Sequence, residues 1–390
     1  MEQLSGINLE QYKTQAKDLL KQCSQDPSTA LPRFQKSHPR FSSITECVKL
    51  SDAQLVIARE NDFPSWAKFK QYLLFQNAVK ALDDGDLVQL ESLITRNPWL
   101  KRYQCTRGQW YETGYFAGAI LLNHVAGNPI RNPLPLNIVQ VTSLLLRLGA
   151  EDLPPGRTIE LLLTSRQASE AGVALPIIDL ILSQLPNSIN LNDPETLTPC
   201  LLNHASKTAE SLINRGTKMD IRHAVALGKM QIVTSLLNQQ NHSAKQPGVI
   251  PLPQDPSLKA KLINEAFLWA CRLGKADMVP LFLNYGVDLT YQGNSGQTAL
   301  HWAVIIGQIE TVKLLLRWHA PLEEVNIYGG TVLGQAVWGA IHEPKPHSME
   351  IISMILSAGA NLESIDYPTS IVPIDDCIRR HLKIIEKPDY

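Results

Sequence analysis

Residues 296 to 316 read GQTALHWAVIIGQIETVKLLL, and the pattern of this stretch decides the fold. Thr298 stands where it can cap a first helix, on which Leu300, Ala303 and Val304 form an apolar stripe, and Gly307 permits a tight turn. A second helix follows, with Ile309, Val312, Leu315 and Leu316 at helical spacing. Neither helix can bury its apolar face alone, so the pair must stack on neighbouring pairs.

Such neighbours are written into the chain. Ala270/Ala303, Gly274/Gly307, Trp269/Trp302 and Leu283/Leu316 recur at an offset of 33, and Gly296/Gly329, Thr298/Thr331, Leu300/Leu333 and Ala303/Ala336 carry it one step further. Thr298-Ala299-Leu300-His301-Trp302-Ala303 resembles the ankyrin motif T-P-L-H-x-A, with Ala in place of Pro, and the ankyrin period is also about 33. The resemblance implies helix, turn, helix and a projecting hairpin-like loop, repeated into an all-α ankyrin-repeat solenoid with a concave surface. In the next unit, GGTVLGQAVWGA from Gly329, Gly334 replaces the motif His.

Weaker units follow the same grammar upstream. Phe75 to Leu100 carries Ala78, Gly85, Val88 and Leu93 in the expected order. AILLNHVAGN from Ala119 has His124 and Ala126 at the H-x-A positions, and Gly149-Ala150 matches the usual end of a second helix. Segments 158–190, 194–220, 221–240 and 262–290 read as divergent helix pairs. The array is expected over 75–384 as about eight units with capping ends. Pro247, Pro251, Pro253 and Pro256 predict a surface loop over 241–257. His342 to Ser348 stretches the last full unit, so that Leu316 to Leu356 spans 40 residues rather than 33.

Residues 1–74 fall outside the period and predict a module of three or four short helices. Leu9, Tyr12, Ala16, Leu19, Leu20 and Cys23 share one helical face, Ser51 and Gln54 form a capping-box pattern, and Pro64-Ser65-Trp66 opens another helix. The run LSDAQLVIARENDFPSWAKFKQYL resembles a helical module that precedes ankyrin repeats in a group of bacterial proteins. That resemblance implies a bacterial origin and carries no activity with it.

Composition narrows the function classes. Lys and Arg number 36 against 37 Asp and Glu, which leaves no field of one sign to draw nucleic acid or anionic lipid. An apolar leader and any run of eighteen apolar residues are missing, and the expectation is a cytoplasmic protein with no membrane partner. Cysteines 23, 47, 105, 200, 271 and 377 stand far apart, suggesting neither disulfides nor a zinc site. H-E-x-x-H, G-x-S-x-G and G-x-x-x-x-G-K-[ST] do not occur, so the expectation is a non-enzyme with no catalytic residues, metal or cofactor. His124, His204, His223 and His301 each stand near the start of a first helix, where the ankyrin resemblance implies hydrogen bonds that brace the adjoining loop.

The function expected from this reading is binding of another protein, identity open, by a monomeric scaffold or adaptor using its concave face. The candidate contacts are Tyr291, Gln292, Asn294 and Ser295 in one loop and Glu324, Asn326 and Tyr328 in the next, with Trp302 and Trp338 behind them. Tyr291 and Tyr328 precede glycines in loops rich in turn formers and are expected at exposed tips. Trp269, Trp302 and Trp338 suggest an aromatic ladder that either packs the core or lines the groove. The stretch from Trp99 to Phe116, with Tyr103, Trp110, Tyr111 and Tyr115, divides between the same two roles. Alternative readings are a secreted effector, an inhibitor or accessory subunit of an enzyme, and an enzyme whose site lies in the N-terminal module or the 102–117 loop.

Overall fold

Apolar residues at helical spacing form the first described helix, which starts at Leu9. The computed structural model describes residues 9–40, 48–107, 111–114, 116–127, 133–154, 156–186, 190, 193–238 and 247–385. Within these the chain forms two units, Met1–Asn190 and Leu191–Tyr390.

The first unit opens with α1 (Leu9–Gln25), α2 (Pro27–Ser37), α3 (Leu50–Glu60) and α4 (Trp66–Asp83). Ala16, Leu19, Phe34, Val56, Ile57, Phe69 and Leu73 make its core, with Leu9, Tyr12, Leu20 and Cys23 packed against it, so the expected face of α1 is the buried one. Ser65 caps α4 as its sequence suggests, accepting the Lys68 N–H at 3.3 Å. The start of α3 differs: the helix begins at Leu50, Ser51 already lies inside it, and the Asp52 carboxylate accepts the Lys49 N–H at 2.8 Å.

The expected module limit at 74/75 falls inside α4, whose second half turns at Gly85 into α5 (Leu87–Arg96). Gly85 has φ +67°, and a Cβ there would lie 2.2 Å from the Asn137 Oδ1; Asn137 also donates to the Gly85 carbonyl at 2.9 Å. Leu90 and Ile94 supply the buried stripe of α5, while Val88 is 80% exposed. The segment at Ala119 differs from the expected α-helix. Leu121–Ala126 is a buried 3-10 turn, followed by α6 (Ile138–Arg147) and a left-handed Gly149. Three short helices, α7 (Arg157–Thr164), α8 (Arg166–Glu170) and α9 (Ala174–Gln184), occupy the segment read as one pair.

In the second unit the period is explicit. After α10 (Leu197–Leu202) and α11 (Ser206–Asn214), the pairs are α12 (Ile221–Ala226) with α13 (Met230–Leu237), α14 (Pro256–Arg272) with α15 (Val279–Tyr285), α16 (Ala299–Ile306) with α17 (Ile309–Arg317), and α18 (Val332–His342) with α19 (Ser348–Ser357). Helix α20 (Val372–Ile385) packs on α19. First helices stack in order, α10 on α12, α12 on α14, α14 on α16 and α16 on α18. The proline-rich loop is tied down where Met219 exchanges backbone hydrogen bonds with Gly248 and Ile250, each 2.8 Å. Pro256 starts α14 instead of extending the loop, because a missing N–H costs nothing in a first turn. Residues 239–246 lie outside the described residues. Helix α18 has eleven residues against eight in α16, and the inserted Lys345 folds back so that its stem covers Gly307 and its Nζ donates to the Ile305 carbonyl.

Second helices end in a left-handed residue, Gly286, His319 and Gly359 in successive units, with φ of 90°, 57° and 96°. Leu315 is fully buried and Leu316 half-buried. Leu315→Ala is expected to cost about 2–5 kcal/mol in denaturant unfolding. His319→Gly, by contrast, is expected to raise stability by up to about 1 kcal/mol, since a Cβ in this region costs about 1–2 kcal/mol and the extra freedom of unfolded glycine returns part of it. A destabilised His319→Gly protein would show that the exposed imidazole makes a contact worth more than the strain.

Candidate functional site

Two adjacent loops, 288–298 and 321–331, carry most of the expected contact residues. Asn326 builds the second loop: its Oδ1 accepts the N–H groups of Tyr328 at 2.9 Å and Gly330 at 3.0 Å, and its own N–H donates to the Gly330 carbonyl at 3.0 Å. The loops lie edge to edge. Ile327 N–H donates to the Ser295 carbonyl at 3.3 Å, and the Gln292 amide donates to the Val325 carbonyl and the Glu324 carboxylate, both at 3.2 Å. Gly296 permits this approach: its φ is +68°, and a Cβ there would sit 2.8 Å from the Ile327 nitrogen.

Beneath the tips, His301 fastens the first helix of one unit to the loop of the next. Thr298 caps α16 by accepting the His301 N–H at 3.4 Å, and the His301 Nδ1 receives the Thr298 N–H at 3.3 Å and its hydroxyl at 2.8 Å. Those donors leave the ring proton on Nε2, which donates to the Gly330 carbonyl at 3.3 Å. The imidazole is fully buried, and burial lowers its pKa, an effect the Gly330 carbonyl only partly offsets.

His223 repeats the device on α12. Its Nδ1 receives the Asp220 N–H at 3.1 Å, and Nε2 meets the Thr198 hydroxyl at 3.2 Å. Around it Arg222 pairs with Asp220 at 2.6 Å, Glu265 at 3.3 Å and Glu195, and its guanidinium lies 5.8 Å from the Trp269 ring centre. Burial would raise the Asp220 pKa, but hydrogen bonds from His223 and Arg222 outweigh it and hold the carboxyl below its ordinary range. In the first unit His124 is buried in the 3-10 turn, contacts the Ile120 carbonyl at 2.9 Å and the Tyr111 hydroxyl at 3.0 Å, and packs among Phe75, Tyr111 and Phe116. That cluster places Tyr111 and Phe116 in the core; Trp110 and Tyr115 lie outside the described residues. His204 departs from the expectation: it is exposed, with φ +59°, in the turn after α10.

The expected contact residues divide by exposure. Asn294 is exposed and Tyr328 is 83% exposed. Ser295, Gln292 and Glu324 are half-buried, the last two hydrogen-bonded to each other. Tyr291 corrects the expectation of a free tip: it is half-buried, its hydroxyl donates to Glu265 at 3.5 Å, and burial raises its pKa with Glu265 adding to the effect. Asn326 is a second correction, being only 6% exposed because its side chain is consumed in closing the turn.

The tryptophans form two rows. Trp269 and Trp302 share their unit position with Gln335, whereas Trp338 shares the position three residues on with Arg272 and Ile305. Trp302 lies half-buried beneath Arg272, with 4.7 Å between guanidinium carbon and ring centre. Trp338 is 51% exposed, stacks on His342 at 4.7 Å, and lines a cleft with Ile305. Val325, Ile327 and Ile306 are also exposed, at 50%, 63% and 40%, and were not singled out from sequence. The signal was present in the period, since Val325 and Ile327 stand one unit on from the polar Gln292 and Asn294.

Among the described residues no three His, Cys, Asp or Glu converge at metal-ligand spacing, and no helix is long and apolar enough to cross a membrane. Burial pushes the Cys105 and Cys200 thiols up to about 12, far from the range of a reactive thiolate.

Comparison with known proteins agrees with this geometry. The family model for ankyrin repeats (3 copies) matches residues 221–329 and 267–366. An ankyrin repeat protein of Acanthamoeba polyphaga mimivirus is 38% identical over 68 residues, covering 17% of this chain and 16% of its own length. Ankyrin repeats in general mediate protein–protein interaction.

His301→Ala is expected to lower stability by about 1–3 kcal/mol by stranding the Thr298 and Gly330 groups. The pH dependence has a definite sign. With the folded pKa below the unfolded value of about 6.5, the contribution of His301 is complete above that value and lost as pH falls from there towards the folded one. Unfolding curves should show this loss in the native chain and a shallower one in His301→Ala; equal slopes would contradict the assignment.

Proposed function

We propose that this chain is a non-catalytic scaffold or adaptor that binds another protein on the face built from the first helices and loop tips of its ankyrin repeats. The observation that carries the reading is the run of exposed apolar side chains at Val325, Ile327 and Tyr328 in one loop, with Trp338 exposed on the first helix that follows it, held on a backbone that hydrogen bonds already fix. Exposed contiguous apolar surface is costly to solubility and marks interaction sites. A pre-formed support also reduces the ordering cost of association. Aromatic side chains in such settings contribute disproportionately to affinity. The balanced charge of 36 basic and 37 acidic residues argues for a protein partner over nucleic acid. A monomeric, cytoplasmic protein of bacterial origin is the setting proposed with it.

The pair Tyr328→Ala and Trp338→Ala tests the face directly. Both side chains are at least half exposed, so truncation opens no cavity and the melting temperature should hold within a few degrees. Affinity capture from the native host, followed by mass spectrometry, should return a protein with the native chain that the double variant loses, with affinity reduced about tenfold or more. Undiminished capture by the folded double variant would remove this face from consideration.

A further inference from the structure

Two arginines in the second unit cover tryptophans of the following unit, and they differ in one respect. Arg222 lies over Trp269 and is surrounded by the carboxylates of Asp220, Glu195 and Glu265. Arg272 lies over Trp302, closer at 4.7 Å, and among the described residues no carboxylate stands within ion-pair distance of it. Burial lowers its basicity, and no neighbouring anion offsets this. A half-buried guanidinium fixed on an indole face keeps its in-plane N–H groups free in a fork that matches a carboxylate. Stacking has already restricted the side chain, so less is lost when a ligand orders it.

The surroundings define what else a ligand must carry. Arg272, Ile305 and Trp338 occupy one position in three successive units, so the row runs from a cation to apolar groups. Stacked helices lie about 8–10 Å apart, which puts Trp338 roughly 20 Å from Arg272, the length of about six extended residues. Resting on the function proposed above, we infer that Arg272 is the carboxylate anchor of the partner site, and that the partner presents an extended segment with an Asp or Glu followed by apolar side chains that reach Ile305 and Trp338.

The experiment selects random linear peptides from a display library on the intact chain, then measures the enriched peptides, synthesised, against Arg272→Gln, Arg272→Lys and the Tyr328→Ala, Trp338→Ala pair. The expected pool is rich in Asp or Glu, with large apolar residues about three to six positions away. Binding should weaken about tenfold or more in Arg272→Gln, recover in part in Arg272→Lys, and fall with added NaCl far more for the native chain than for Arg272→Gln. Peptides released by the Tyr328→Ala, Trp338→Ala pair that show no acidic preference and bind Arg272→Gln as tightly as the native chain would overturn the carboxylate anchor and leave the proposed face standing. Peptides indifferent to every variant, or a library that yields no enriched sequence, would count against both. Should Arg272→Gln fail to fold, the acidic preference and the NaCl dependence of the native chain decide alone.

Discussion

A pair of helices about two to three turns long has too little apolar surface to be stable alone, and the second unit is organised around that shortage. Helix α16, with eight residues, buries Leu300, Ala303 and Val304 only because α14 and α18 flank it. Stacking in turn demands that consecutive loops run side by side, and at the tips no Cβ fits between Gly296 and Ile327. His301 closes the remaining gap by satisfying the cap of its own helix and a carbonyl of the next loop with one ring. Core, turn and interloop contact are therefore coupled, and a fault in one is felt in the others.

Polar groups inside this stack serve two ends. Around Arg222 the guanidinium is answered three times over, by the buried Asp220 and by Glu195 and Glu265, whose partial exposure leaves the excess negative charge to solvent. It ties Glu195 just before α10 and Asp220 at the cap of α12 to Glu265 in the body of α14, and so links three successive first helices. The insertion after α18 works on the same rule: Lys345 supplies the donor that the last turn of α16 leaves without a helical partner.

Features governed by short-range chemistry were legible in the sequence. Thr298 as a cap, Gly307 as a turn, the buried face of α1 and the cap at Ser65 all depend on residues within four positions, and all stand as the spacing implies. Features governed by distant partners were not. Tyr291 is half-buried with its hydroxyl on Glu265, which lies in the preceding first helix. Leu121–Ala126 tightens into a 3-10 turn around His124, whose partners Tyr111 and Phe75 are remote in sequence. The fold class was readable because 33-residue recurrence survives local deviation. The exposed apolar side chains at the loop tips were only partly readable, since polar and apolar tip residues look alike to a turn motif.

The edge-to-edge loops have an evolutionary corollary. Ser295 and Tyr328 hold the same station in successive units, as do Asn294 and Ile327, yet they share no chemistry. At these stations the bond between the loops runs from the Ile327 N–H to the Ser295 carbonyl, backbone groups that depend on neither side chain. Mutation can therefore exchange the side chains at these two stations while this bond is kept. A duplicated copy of this gene could acquire a new partner through a few tip substitutions, with its stability inherited unchanged.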